Sequence, residues 1–137
     1  MKIGFIGLGN VGAKLAGSLL RNGFDLTVRD VDQNLTDQFK SSGAKVANSG
    51  KELAEQVDLI ITSLPSLKVS SEVMEAEDGV LQGLYKNKIW LEMSTTDEAE
   101  VKRIGEKVIA KNAIPLDGPV SGGCHRAATG NIAIFVG

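Results

Sequence analysis

The sequence has little cysteine, proline or aromatic character: one Cys, three Pro, four Phe, one Trp and one Tyr in 137 residues. A single cysteine, Cys124, cannot form an internal disulfide, so we expect a reducing, cytoplasmic setting. Every apolar run is shorter than the roughly 20 residues that a membrane-spanning helix needs. Met1 and Lys2 lead directly into a strand-like segment, which predicts that no signal peptide precedes the fold.

The sequence also lacks an excess of positive charge. Lys and Arg number 15 against 17 Asp and Glu, and the net charge is -2. A protein that neutralises a phosphate backbone needs a basic surface, so we expect no nucleic-acid partner, and we expect neither a membrane nor a metal partner. The 42% hydrophobic and 23% charged composition is typical of a globular domain with a packed core, which we place over residues 1–137.

Short apolar runs alternate along the chain with longer amphipathic segments. The apolar runs predict strands over residues 2–7, 26–30, 45–47, 57–64, 88–93, 113–116 and 132–136. Such near-continuous apolar strands, separated by helices, are typical of a mostly parallel sheet covered on both faces. The predicted fold class is therefore α/β, a doubly wound, mostly parallel sheet of the Rossmann kind.

Turn and capping residues delimit the predicted helices. A helix over residues 11–22 ends at Gly23, and a short second helix ends near Gly43. A Ser or Thr followed three residues later by Glu forms a capping box, which predicts helices that begin at Ser49 with Glu52 and at Thr95 with Glu98. The second of these helices is predicted to continue to about residue 111. Residues 66–84 predict a helix, a turn at 78–79 and a shorter helix.

A glycine-rich string follows the first strand and opens the first helix. Residues 7–12 have the form G-x-G-x-x-G, in which the first glycine permits a tight turn, the second lets the backbone approach a pyrophosphate, and the third lets helix and strand pack closely. Free amides at the helix N-terminus then face the phosphates. An ordinary strand-to-helix turn is the alternative. The dinucleotide reading names Gly7, Leu8, Gly9, Asn10, Val11 and Gly12 as cofactor-binding residues.

An acidic residue, Asp30, ends the next predicted strand, twenty-one residues after Gly9. This is close to the ~20 expected of the carboxylate that holds an adenosine ribose. The carboxylate repels a 2′-phosphate by about 4 kcal/mol per unit charge at ~4 Å and an effective dielectric of 20. The neighbouring Arg29 would favour that phosphate, but it points to the opposite face if the strand persists. NAD is therefore favoured over NADP.

Four segments together resemble the β-hydroxyacid dehydrogenase family, which includes 3-hydroxyisobutyrate dehydrogenase. They are GFIGLGNVG at residues 4–12, SLP at 63–65, EMSTT at 92–96 and DGPVSGG at 117–123, the last followed by A-x-x-G. The resemblance covers the whole chain in order. It implies that Leu64, Pro65 and Thr95 lie beside the cofactor and that Ser121, Gly122 and Gly123 bind the substrate carboxylate. The family's NADP users commonly carry an arginine where this chain has Val31.

The same resemblance implies parts that this sequence does not contain. The family's catalytic lysine and its all-helical C-terminal domain follow the nucleotide-binding domain, so the catalytic residue is unknown here and would lie beyond Gly137. We therefore expect a truncated portion of a longer enzyme that homo-oligomerises through its C-terminal domain. The expected activity is hydride transfer between NAD and a small 3-hydroxy acid or semialdehyde. The alternatives are a glyoxylate, succinic semialdehyde or tartronate semialdehyde reductase, or a non-catalytic dinucleotide-binding module.

Overall fold

The elements alternate between strand and helix through most of the chain. The computed structural model describes residues 1–94, 97–118, 120–121 and 133–134. Its strands are β1 Lys2–Ile6, β2 Asp25–Arg29, β3 Lys45–Val46, β4 Leu59–Thr62, β5 Ile89–Glu92, β6 Ile114–Asp117, β7 Val120–Ser121 and β8 Ala133–Ile134. Its helices are α1 Asn10–Arg21, α2 Gln33–Ser41, α3 Gly50–Gln56, α4 Leu67–Glu75, α5 Val80–Gly83 and α6 Glu98–Ala110.

Six strands form one sheet in the order β3-β2-β1-β4-β5-β6. Every neighbouring pair in this sheet is parallel. The chain therefore winds outward from β1 in one direction to β3, then returns to the other side of β1 at β4. This confirms the predicted doubly wound α/β fold and places a topological switch point between the carboxyl ends of β1 and β4.

Two hydrophobic clusters fill the two faces of the sheet. Phe5 is in register with Val28 and Ile61, and all three belong to the cluster that packs under α1. Ile60 and Trp90 are paired in register and belong to the other cluster, with Leu53 and Ile104 from the helices. Because both faces are covered, the central strands are apolar at successive positions, which is why they were recognisable in the sequence.

The predicted helix ends are confirmed at the glycines. Gly23 and Gly43 have φ of 83° and 107°, a left-handed conformation that follows α1 and α2. The Ser49 hydroxyl accepts a 3.0 Å hydrogen bond from the Glu52 amide and caps α3. The Glu52 carboxylate returns a bond to the amide of Asn48 instead of Ser49, so the box closes one residue earlier than in the standard motif.

The second predicted capping box is wrong. The cap of α6 is Asp97, whose carboxylate accepts a 2.7 Å hydrogen bond from the Ala99 amide, and the helix begins at Glu98. An aspartate caps as well as a threonine and also places a negative charge at the positive end of the helix dipole, so the helix begins beyond Thr95. Thr95 itself lies outside the described residues.

The last predicted strand is part of a separate pair. Residues 133–134 of the predicted run 132–136 form β8, which pairs antiparallel with β7 instead of extending the parallel sheet. Ser121 pairs with Ala133 in this register. Gly122 and Gly123 lie outside the described residues.

Candidate cofactor-binding site

A cavity in the described part of the chain lies at the switch point of the sheet. It has a volume of about 910 Å³ and opens where β1, β2 and β4 end. Its walls come from the glycine-rich turn, the ends of β2 and β4, the start of α3, and α4 with the turn that follows it. Ligands of open α/β sheets bind in this crevice, outside the carboxyl ends of the strands.

The three glycines of residues 7–12 have three different surroundings. A Cβ on Gly7, which has φ of 100°, would lie 2.0 Å from the Ser63 carbonyl oxygen, and one on Gly12 would lie 1.9 Å from the Gly7 carbonyl oxygen. Both positions therefore exclude any side chain. A Cβ on Gly9 would meet no heavy atom of the described chain within 4 Å. The space at Gly9 is open to the cavity, which is the arrangement that a closely approaching pyrophosphate requires.

Gly9 is also the N-cap of α1. Because it has no side chain, it gives no side-chain acceptor to the first amides of the helix. The caps of α2, α3, α4 and α6 are Asp32, Ser49, Ser66 and Asp97, and each accepts a hydrogen bond from its helix. The first turn of α1 instead presents its N–H groups and the positive end of a 12-residue helix to the cavity. An anion bound there would accept hydrogen bonds from these N–H groups.

Asp30 connects the glycine-rich turn to the start of α2. Its Oδ2 accepts a 2.7 Å hydrogen bond from the Leu8 amide, and its Oδ1 accepts a 2.8 Å bond from the Asp32 amide. Leu8 itself is 1% exposed and packs in the core, so it contributes its backbone to this arrangement and not its side chain. Each carboxylate oxygen keeps a second lone pair for a ligand hydroxyl.

Arg29 lies in the same cavity as Asp30, contrary to the expectation that the two point to opposite faces. The reason is that β2 ends at Arg29, so the alternation of a strand does not continue to Asp30. The Arg29 Nη1 donates a 3.2 Å hydrogen bond to the Asp30 carbonyl oxygen. The Arg29 guanidinium therefore lies at the backbone of Asp30 and lines the same cavity as Asp30.

Leu64 and Pro65 form the wall opposite Asp30, and hydrogen bonds through residues at the end of β5 and just after it hold this wall in place. The Leu64 amide donates a 2.7 Å hydrogen bond to the Ser94 Oγ. The Ser94 amide in turn donates to the Oε1 of Glu92, a residue with an exposed fraction of 0%. Glu92 belongs to the EMSTT segment, but no role was predicted for it. The signal that could have identified it is an acidic residue at the end of an apolar strand.

Most of the sequence-predicted cofactor residues meet at this one cavity. Those that line it are Gly7, Gly9, Asn10, Val11, Gly12, Asp30, Leu64 and Pro65. Sequence reasoning did not name the α4 face of the cavity, with Val69, Glu72 and Val73. Thr95, Gly122 and Gly123 fall outside the described residues, and Ser121 is described only as a β7 backbone position.

Among the helices that the structure describes, none is both long and apolar enough to cross a membrane. Nor do three His, Cys, Asp or Glu side chains of the described residues come together in a way that could hold a metal ion.

Known proteins resemble this chain over nearly its full length. The family model for the NAD-binding domain of 6-phosphogluconate dehydrogenase matches residues 2–137. Mitochondrial 3-hydroxyisobutyrate dehydrogenase of Rattus norvegicus is 38% identical over 135 residues, which are 98% of this chain and 40% of the relative. The chain thus spans well under half of that relative's length.

Two solved structures share the fold closely. The 3-hydroxyisobutyrate dehydrogenase of Mycobacterium tuberculosis with L-serine has a TM-score of 0.91 at 27% identity, covering 99% of this chain and 46% of its own. The 3-hydroxyisobutyrate dehydrogenase of Salmonella typhimurium has a TM-score of 0.91 at 28% identity, covering 99% of this chain and 47% of its own. In both, the similarity is confined to a region about the size of this chain.

Proposed function

The chain belongs to the family of the NAD-binding domain of 6-phosphogluconate dehydrogenase, and from this premise we propose that it is the cofactor-binding domain of a 3-hydroxyisobutyrate dehydrogenase-like enzyme. The observation that carries the proposal is the convergence of the glycine-rich turn, Asp30 and the end of β4 on one cavity at the switch point. The relatives of similar sequence are named 3-hydroxyisobutyrate dehydrogenases, which supports the choice within the family.

The described residues fit NAD in the expected order. The open space at Gly9 and the uncapped amides of α1 suit the pyrophosphate. The Asp30 carboxylate has lone pairs left for the hydroxyls of the adenosine ribose. Leu64 and Pro65 stand at the other side of the cavity, where the nicotinamide half would extend. Thr95 is proposed to lie near the nicotinamide from the resemblance alone.

NAD is the proposed cofactor in preference to NADP. The Asp30 carboxylate repels a 2′-phosphate, and Val31 stands where NADP users of the resembled family carry an arginine. Arg29 offsets part of this repulsion, since it lines the same cavity and its guanidinium reaches the Asp30 carbonyl. We therefore expect a preference of about ten-fold to a few hundred-fold, where ten-fold corresponds to ~1.4 kcal/mol.

In the proposed reaction a small 3-hydroxy acid is oxidised to its semialdehyde, or the semialdehyde is reduced. When bound, NAD supplies the hydride acceptor. The Ser121 hydroxyl and the backbone amides at Gly122 and Gly123 are proposed to hold the substrate carboxylate, because consecutive glycines let successive amides face an anion. The hydroxyl proton is proposed to pass to a lysine that lies outside these 137 residues, in the part of the longer enzyme that the resemblance implies.

Two further proposals concern the location and the assembly of the longer enzyme. We place it in the cytoplasm because of the single cysteine, although the rat relative is named mitochondrial. We also propose a homo-oligomer formed through a helical C-terminal domain. Imaging the tagged full-length protein and measuring its mass in solution would test these two points separately.

The experiment that tests the function compares this chain with the full-length protein that contains it. Both are assayed with NAD and a panel of small 3-hydroxy acids, including 3-hydroxyisobutyrate and L-serine, by following NADH absorbance. We expect turnover by the full-length protein and NAD binding without turnover by the 137-residue chain, because a positioned base is worth ~10² to 10⁴ in rate. Turnover by the short chain would place the base within it, and NAD binding without turnover by the full-length protein would favour the non-catalytic module.

A further inference from the structure

Glu92 is a carboxylate in the interior of the domain that no step of the proposed reaction uses. It ends β5 with an exposed fraction of 0%, and it does not line the cofactor cavity. Its Oε1 accepts a 2.8 Å hydrogen bond from the Ser94 amide, and its Oε2 accepts a 3.0 Å bond from the Ser70 hydroxyl. A buried carboxylate is costly unless its oxygens are bonded in this way, so its presence needs a reason.

The first hydrogen bond leads to the wall of the cavity. Ser94, itself 5% exposed, accepts from the Leu64 amide at 2.7 Å, and Leu64 and Pro65 line the cavity. The Ser63 carbonyl just before them lies against Gly7, where a Cβ would approach it to 2.0 Å. A shift of Ser94 would therefore move the β4 end against the glycine-rich turn.

The second hydrogen bond leads to a different wall. Ser70 lies on α4, and its neighbour Val69 lines the cavity one residue away, with Val73 one helical turn further on. The two oxygens of one carboxylate thus hold two separate segments, the end of β4 and the start of α4. Residues 63–66 connect β4 to α4, and tertiary contacts such as these two hydrogen bonds fix how the two elements lie relative to each other.

The geometry points to Glu92 as a positioning residue. Through Ser94 it holds the Leu64 amide, and through Ser70 it holds α4, so it fixes the position of Leu64 relative to α4. In this way it shapes the side of the cavity opposite Asp30. The expected effect of Glu92 on NAD affinity rests on the proposed function, whereas its expected effect on the Leu64 amide does not. Removing the carboxylate leaves the buried Ser94 amide without an acceptor, and Ser94 then no longer holds the Leu64 amide.

Four variants of this chain test the inference. Glu92→Leu removes both acceptors, and Ser94→Ala removes only the contact with Leu64. Glu92→Gln is the conservative variant, since its amide oxygen accepts from Ser94 and its NH2 donates to Ser70. Thr62→Val is the control: Thr62 is in register with Glu92, but its hydroxyl accepts a buried 3.0 Å bond from the Trp90 indole and takes no part in the bonds that join Glu92 to Leu64. Ser94→Ala keeps the test open if Glu92→Leu fails to fold.

Two measurements are made on each variant: amide hydrogen exchange of the cofactor-free chain, and NAD affinity by titration. We expect Glu92→Leu and Ser94→Ala to lower the protection of the Leu64 amide about tenfold relative to the Ile61 amide, and to raise the Kd for NAD about tenfold. Glu92→Gln should stay within about threefold of the wild type in both. Thr62→Val should lower the melting temperature but leave both readouts within about twofold.

The results separate the two proposals. If Glu92→Leu lowers the melting temperature but leaves Leu64 protection and NAD affinity like those of Thr62→Val, Glu92 is a structural residue and the inference is overturned. If the wild-type chain binds no NAD, the proposed function fails, and the exchange of Leu64 alone decides whether Glu92 positions this wall.

Discussion

The Asp30 carboxylate accepts a 2.7 Å hydrogen bond from the backbone amide of Leu8, in the middle of the glycine-rich turn. The residue expected to select the cofactor thus also holds the loop that would bind the pyrophosphate. Because both tasks fall on one carboxylate, a substitution at Asp30 changes the affinity for any dinucleotide as well as the preference for one.

The first prediction concerns this double role. Wild-type chain should bind NAD(H) about ten-fold to a few hundred-fold more tightly than NADP(H). Asp30→Ser should narrow that ratio by removing the repulsion of the 2′-phosphate, and should also weaken NAD binding because the Leu8 amide loses its acceptor. Titration of both cofactors into both proteins measures the effect.

Asp25→Asn is the matched control for that titration. It removes one negative charge from the same strand at its other end, where Asp25 forms an exposed 3.3 Å ion pair with Lys45. It should leave the NAD-to-NADP ratio unchanged. Equal affinities for the two cofactors in the wild type would contradict the assignment of Asp30.

The second prediction compares how alanine at Gly12 and at Gly105 changes the free energy of unfolding. Gly12→Ala should lower the free energy of unfolding by roughly 2 kcal/mol or more, since its Cβ would lie 1.9 Å from the Gly7 carbonyl oxygen. Gly105→Ala, in the interior of α6, meets only Pro115 at 3.6 Å and should raise it by about 0.5–1 kcal/mol. Urea unfolding of the two variants measures both; equal stabilities would show that Gly12 is not needed for close packing.

The third prediction concerns Lys88, which is 5% exposed and caps the end of α3. Its Nζ donates to the carbonyl oxygens of Ala54 and Val57 and lies 4.1 Å from the centre of the Tyr85 ring. Lys88→Met should cost roughly 2–3 kcal/mol, because hydrogen bonds to charged groups contribute ~1.5–3 kcal/mol. The exposed Lys86→Met, two residues away, should cost less than about 0.5 kcal/mol by the same urea assay. A similar loss in both variants would contradict the capping role.

The fourth prediction concerns pH and the surface ion pairs between α4 and α6. Arg103 binds Glu75 through both Nη atoms, at 2.7 and 2.8 Å, and also binds Glu100. Hydrogen bonds from Arg103, followed by one from Lys107, lower the pKa of Glu75 from 4.5 to about 2. Those from Arg103 and Ser71 lower the pKa of Glu100 to about 2.

Because both folded-state pKa values lie below the unfolded value of 4.5, the unfolded chain binds protons first as the pH falls. The stabilisation is complete above about pH 4.5 and should be lost as the pH falls towards 2. Glu75→Gln should reduce this pH dependence and cost about 1 kcal/mol or less at pH 7, since the pair is partly solvated. Thermal melts from pH 7 to 2 measure it; an unchanged slope in Glu75→Gln would contradict the account.

Sequence alone predicted the sheet, most helix boundaries and eight of the cavity-lining residues, for identifiable reasons. Buried parallel strands are apolar at successive positions. The turn leaves no room for a side chain at residues 7 and 12, so both positions require glycine. Contacts that join distant segments could not be predicted in this way. Glu92 meets Ser70 across 22 residues and Ser94 meets Leu64 across 30, and no local pattern encodes such pairs.

The same distinction explains the errors. The cap of α6 was assigned to Thr95 because Thr95 and Glu98 have the spacing of a capping box, whereas Asp97 caps the helix in the structure. Arg29 was expected to point away from Asp30 because the end of β2 could not be placed to within one residue. Both errors lie at element ends, where the chain leaves its regular geometry.

Titration of NAD into three forms of this chain tests most directly whether NAD binds at Gly9 of the glycine-rich turn. They are the wild type, Gly9→Ala, and Gly105→Ala as the remote control. A Cβ on Gly9 touches no described atom, so Gly9→Ala should melt within about 2 °C of the wild type, yet it should bind NAD at least tenfold more weakly because the Cβ occupies the space of the pyrophosphate. Gly105→Ala should bind like the wild type. Undiminished NAD binding by a folded Gly9→Ala would contradict the account.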